Sequence, residues 1–93
     1  MNMRSYSFGN TPKIFKILSE ENRLRLINIF SQKSECVCNL VKETGLSQSL
    51  ISHHIADLKS VGLVEGKEVG NRTFYSLTEK GKKIVRFLKE AKL

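Results

Sequence analysis

Cys36 and Cys38, in the stretch ECVCNL, are the only cysteines of the chain and stand one residue apart. A pair so placed offers thiol chemistry, in which the thiolate is the reactive form. A disulfide between them is disfavoured, because a bridge across one intervening residue closes a small, strained ring. The structural alternative is two small buried hydrophobes, the usual fate of free cysteines. His53 and His54 are the only histidines. Neighbours on a helix point about 100° apart, so the two do not form a metal site together. The sequence holds no carboxylate pair, no nucleophile–histidine arrangement and no phosphate-binding glycine loop, so no enzyme is expected.

These residues sit in a small, basic chain. Ninety-three residues make one domain, and sixteen Lys and Arg against nine Asp and Glu give a net charge of +7. That excess points to a polyanionic partner, nucleic acid before an acidic membrane; the plainer reading is a well-solvated surface. With 40% apolar residues the chain reads as globular, but its core is small enough that a partner subunit would help. No apolar run approaches the roughly 20 residues that span a bilayer. The start, MNMRSYSFGNTP, has no apolar signal-peptide core. A cytoplasmic location and no membrane partner are expected, which also argues against a structural disulfide.

Residues 1–11 read as a flexible tail, and 12–93 as the folded domain. Pro12 suits a first helical position with Thr11 as cap, and Ile14, Ile17 and Leu18 share one face. Ser19 reads as the cap of a second helix, in which Leu24, Leu26, Ile27, Ile29 and Phe30 cover much of the circumference. Such a helix is central. CVCNLVKETG predicts a third, short helix with Val37, Leu40 and Val41 on its apolar face and Gly45 as stop. Only GLS separates it from QSLISHHIADLKSVG, capped by Ser47 and ended by Gly62. Two helices joined by so tight a turn are a helix-turn-helix. LVEGKEV and RTFYSLT then predict a hairpin around Gly70-Asn71. Thr78 caps a last helix carrying Ile84, Phe87, Leu88 and Ala91 at helical spacing. The order predicts a mainly α fold with a β-hairpin wing, a winged helix-turn-helix.

In the fourth helix, Leu50, Ile51, Ile55 and Leu58 read as core-facing, with His54 among them as a core histidine. Ser47, Gln48, Ser49, Ser52 and His53 face solvent. Gln and Ser are side chains that bond base edges or phosphate; as a plain surface they would be a solvated, serine-capped face. Lys67 and Arg72 flank the wing turn, where a basic residue suits phosphate or a narrow minor groove. Tyr75 and Leu77 read as packing inward.

The stretches ILSEENRLRLINIF and CVCNLVKETGLSQSLISHHIADLKSVGLVEGKEVGNRTFYSLTEKG resemble the ArsR/SmtB family of metal-responsive repressors. The resemblance runs from about Ile14 to Phe87. It implies a winged-helix homodimer that sits on operator DNA and leaves it when a metal or metalloid binds. It also implies a dimer interface from the first and last helices, which here offer Ile14, Ile17, Ile84, Phe87, Leu88 and Ala91. Arsenic- and antimony-sensing members carry a CVCDL signature at the start of the third helix. Cys36 and Cys38 map onto its two main thiolate ligands. Two departures stand out: Asn39 replaces the Asp, and Val41 occupies the place of a third cysteine. A zinc site of another branch needs His and Asp in the last helix, which has neither. The resemblance thus implies As(III) or Sb(III) as inducer, with Cd(II) or Pb(II) as further soft ions, and no required cofactor. A thiol redox switch, or no metal response at all, are the alternatives. On a regular helix residues i and i+2 point about 200° apart, so binding an ion there would have to unwind the helix start or pull in a ligand from elsewhere.

Overall fold

The structure, a computed structural model, describes residues 7–92. Five helices and one hairpin follow in order: α1 (Thr11–Leu18), α2 (Glu21–Phe30), α3 (Val37–Thr44), α4 (Gln48–Ser60), β1 (Val64–Val69), β2 (Arg72–Leu77) and α5 (Glu79–Ala91). This is the expected winged helix-turn-helix. Residues 1–6 of the expected tail lie outside the described residues, and Thr11 already belongs to α1.

Caps explain most boundaries. The Ser47 hydroxyl accepts from the Leu50 amide, and Thr78 accepts from that of Gly81, each satisfying an otherwise orphaned helix-start donor. Gly45 closes α3 in the left-handed region at φ 74°, where a side chain is disfavoured. Two expected caps move. Asn10, not Thr11, precedes α1, and the Thr11 hydroxyl turns back to the Phe8 carbonyl. Glu20, not Ser19, caps α2 through its carboxylate, while Ser19 closes the end of α1. A carboxylate suits the positive end of the α2 dipole better than a hydroxyl.

The core is a single cluster in which Leu26, Leu40, Ile51, Leu58 and Leu63 are fully buried. Helix α2 is central as expected, through Leu26, Ile27 and Phe30, although its Leu24 faces outward. The wing is a two-strand antiparallel ladder from Val64 opposite Leu77 to Val69 opposite Arg72. Its Gly70-Asn71 loop has Gly70 at φ 66°. Helix α5 approaches closely because Gly81 has no side chain: a Cβ there would stand 2.2 Å from the Leu63 carbonyl oxygen. Beyond Gly81 the helix is poorly covered, and Phe87 is half exposed. Among the described residues no helix is long and apolar enough to cross a membrane.

Candidate nucleic-acid interface and thiol pair

The face of α4 expected to meet DNA is open. Ser47, Gln48, Ser49, Ser52 and His53 are all exposed, and Ile51, Ile55 and Leu58 are buried. Leu50 corrects the expectation: it is 37% exposed rather than in the core. It stands one residue, about 100°, from Ile51, which carries it off the edge of the buried stripe at the first turn of α4.

His54 is buried and fully engaged. Its Nδ1 accepts from Arg23 Nε at 3.0 Å, so the ring proton lies on Nε2, which faces the Glu20 carboxylate at 3.3 Å. The Arg23 guanidinium also donates to the Ile17 carbonyl and pairs with Asp57. The Asp57 carboxylate lies 3.4 Å from His53 Nε2. Burial holds the His54 pKa below the usual histidine range, opposed by Glu20. Sequence reasoning found the buried histidine but missed Arg23 and Asp57. Their signal was faint: one arginine on the flank of an apolar helix, and an aspartate three residues after His54.

The wing places Lys67 and Arg72 at the surface. Gly66 lies opposite Tyr75, and the Tyr75 ring leans over it so closely that a Cβ on Gly66 would stand 3.0 Å from a ring carbon. Between wing and α4 opens a cleft lined by Ser52, Ile55, Ala56, Lys59, Ser60 and Tyr75. Lys59 Nζ stands 6.0 Å from the Tyr75 ring centre. Lys59 is a cation on this face that the sequence analysis did not single out.

The thiols straddle a helix start. Cys36 is buried and Cys38 exposed, and neither is in a disulfide. Cys36 is not the first residue of α3 but its cap, with extended backbone at φ −91°, ψ 161°. The 200° argument therefore does not apply, because only Cys38 is helical. A hydrogen bond with Cys38 holds the Cys36 thiol below the usual thiol range, helped by the Asn39 amide and opposed by burial. Both cysteines line one cleft, Cys36 from extended backbone and Cys38 from the first turn of α3.

Glu35, also missed from sequence, organises this corner. Its carboxylate accepts from the Cys36 amide at 3.1 Å and from the Asn39 side chain at 2.9 Å, and Lys33 Nζ stands 3.6 Å from its other oxygen. The hydrogen bond from Asn39 holds the Glu35 pKa down. An Asp at position 39 could not donate this bond, which gives Asn39 a physical reason here. The Glu35 backbone pairs with Tyr75 in both directions, at 3.0 and 2.9 Å. The residue before Cys36 is thus bonded to the wing. A second cleft, lined by Cys36, Val37, Cys38, Arg72, Thr73 and Tyr75, lies at that junction. The described residues hold no cluster of three or more His, Cys, Asp or Glu arranged for a metal.

Of the side chains expected at a dimer interface, Ile14 and Ile17 are buried in the chain's own core, and α1 presents Phe15 instead. Ile84 and Leu88 are half-buried; Phe87 and Ala91 are exposed.

A family model described as bacterial regulatory protein, arsR family, matches residues 20–66. The chain is 36% identical over 70 residues to the cadmium resistance transcriptional regulatory protein CadC of Listeria innocua, a match covering 71% of this chain and 59% of that protein. It is 34% identical over 71 residues to the arsenical resistance operon repressor of Staphylococcus aureus, covering 76% of this chain and 68% of that one. Among solved structures, the transcriptional regulator HlyU from Vibrio vulnificus aligns with a TM-score of 0.74 at 27% identity, covering 96% of this chain and 93% of that one. The chain spans about three-fifths of the length of the cadmium-resistance relative.

Proposed function

We propose a function from one premise: the chain belongs to the arsR family of bacterial regulatory proteins. It is a transcriptional repressor that holds duplex operator DNA as a homodimer and lets go when a thiophilic ion binds Cys36 and Cys38. As(III) and Sb(III) are the first candidates, and Cd(II) or Pb(II) the next. One observation carries this reading: Cys36 caps α3, Cys38 follows in its first turn, and both line one cleft beside a residue bonded to the wing. The names of the relatives, one for cadmium resistance and one for arsenical resistance, support a soft ion without choosing between them.

The donor set suits such an ion. Soft thiolates select soft acceptors. Zinc prefers four ligands, and two thiols leave it half-supplied. A ligand shifts an equilibrium only by its preference between two states. Here the states differ in how Cys36, Glu35 and the β2 backbone are arranged, so drawing the thiols together acts on the wing. Gln48, Ser49, Ser52 and His53 read the groove, with Ser47 at the helix start; Lys67 and Arg72 hold phosphate. Phe15, Ile84, Phe87, Leu88 and Ala91 meet their symmetry mates, so that two copies of α4 reach half-sites about 34 Å apart on an inverted repeat.

The test is an operator-release titration with As(III), Sb(III), Cd(II), Pb(II) and Zn(II) in a monothiol reductant. The parent should release, while Cys36→Ser and Cys38→Ser bind the operator equally well and stay bound. Equal release from all three proteins removes the sensor reading. Two free thiols lining one cleft also favour a second reading, a redox switch. Release by peroxide alone, reversed by reductant, would establish that one instead.

A further inference from the structure

One wall of the thiol cleft belongs to the wing. The cleft holds about 250 Å³, with Cys36, Val37 and Cys38 on one side and Arg72, Thr73 and Tyr75 on the other. Trivalent arsenic takes three ligands, and the described residues supply no third Cys, His, Asp or Glu clustered with the pair. Glu35, next to Cys36, already has its carboxylate engaged by Cys36, Asn39 and Lys33. The same cleft is also lined by Arg72, whose guanidinium has no ion-pair partner among the described residues, and by Thr73.

We propose that Arg72 and Thr73 make this third position a site for a small thiol carrying a carboxylate, so that the chain takes up trivalent arsenic together with an anionic thiol. The proposal rests on the reading that Cys36 and Cys38 bind the metalloid. The chemistry is ligand exchange at constant oxidation state. Two hydroxyls of As(OH)3 leave as water with the thiol protons of Cys36 and Cys38, and two As–S bonds form. The third hydroxyl leaves as water with the proton of the small thiol, and a third As–S bond forms. Guanidinium matches a carboxylate in fork geometry, and a threonine hydroxyl donates one more bond. The same guanidinium is the wing's proposed phosphate contact, so an occupied cleft draws it away from DNA.

The experiment titrates the purified chain with As(III), following arsenic–thiolate absorption. It uses 3-mercaptopropionate, 2-mercaptoethanol or 2-aminoethanethiol as the sole reductant. Each thiol competes for arsenic in solution equally for parent and variant, so the readout is the ratio of apparent Kd, Arg72→Gln over parent, in each thiol. That ratio should fall in the order carboxylate, neutral, ammonium, spanning about three- to fivefold, as expected of one partly exposed ion pair. Arg72→Glu should widen the span. A ratio independent of thiol charge overturns the proposal and leaves the third position to water or to another group of the dimer. Absence of arsenic–thiolate absorption in every thiol removes the metalloid reading itself, and this proposal with it.

Discussion

The recognition helix α4 is supported from two sides, and the two supports are built differently. On the α2 side, His54, Arg23, Asp57 and Glu20 form a closed net in which each polar group has a partner. On the other side, α3 and the wing meet at an open corner: an exposed Cys38, a cleft, and two backbone bonds from Glu35 to Tyr75. A closed net around a buried ring has few alternative arrangements, because breaking the bonds to His54 or Arg23 strands a largely desolvated group. An open corner with exposed side chains can rearrange at less cost. The first support fixes the surface proposed to read DNA. The second is where the proposed ligand would act on it.

Crossed substitutions test that division most strongly. Cys38→Ser should move the inducer concentration for operator release by at least about 100-fold, since loss of a ligand should cost at least as much as loss of a supporting hydrogen bond. Its melting temperature should stay at the parent's. Arg23→Ala should do the reverse. It strands His54, Asp57 and the Ile17 carbonyl, and should cost about 2–3 kcal/mol after allowing for the partly exposed Asp57. That corresponds to a melting point lower by roughly 10 °C, with the inducer midpoint unmoved. Chemical denaturation and release titrations of both variants decide it. A stability loss from Cys38→Ser, or an inducer shift from Arg23→Ala, would dissolve the distinction between the two supports.

A smaller effect sharpens the role of the wing. Gly66→Ala forces Thr73 and the Tyr75 ring to move. Overpacking of this kind should cost about 1 kcal/mol net of the gain from removing a strand glycine. The displacement falls on the strand bonded to Glu35, so amide exchange at Tyr75 and Glu35 should quicken and DNA affinity fall a few-fold. Unchanged exchange at Tyr75 would show that this ring does not hold the bridge in place.

What could be read from sequence follows from range. The hairpin register came from two adjacent residues, Gly70-Asn71. The caps Ser47 and Thr78 lie within three residues of their partners. The buried His54 followed from periodicity. Arg23–His54 and Glu35–Tyr75 span 31 and 40 positions and leave no local pattern. Leu50 was misplaced because it sits at the edge of an apolar stripe, where helical phase alone does not decide burial. Cys36 was read as helical because no local pattern marks its extended backbone, which follows the Glu35 bridge to Tyr75.

Asn39 offers a test at about 1 kcal/mol. Asn39→Asp removes the donor to Glu35 and puts two carboxylates side by side, so it should destabilise the chain near neutral pH by that amount. Glu35→Gln alone should cost less, and the double variant should recover most of the loss, since Gln can donate to Asp. A thermodynamic cycle with no coupling between positions 35 and 39 would show that the bond seen here contributes nothing.

The smallest expected effect is the pH dependence of the closed net. Burial depresses the His54 pKa in the folded chain, so the unfolded chain binds this proton more readily. Stability then rises with pH wherever the unfolded state holds more protons. The contribution is complete above the unfolded value of about 6.5, and is lost as pH falls through that value toward the folded one. The groups facing His54 are Glu20 at the α2 cap, Arg23 from α2, and His53 and Asp57 from α4; Glu20 and Asp57 raise its pKa, while Arg23 and His53 lower it, so the net slope is modest. Glu35, whose pKa is also depressed, loses its contribution only at more acid pH. The melting temperature should therefore fall by a few degrees between pH 7.5 and 5.5. His54→Gln can still accept from Arg23 and donate to Glu20, and it does not titrate, so it should keep the fold and flatten that slope. An unchanged slope in His54→Gln would mean that the acid sensitivity comes from another group, and that the closed net is indifferent to the proton on its central ring.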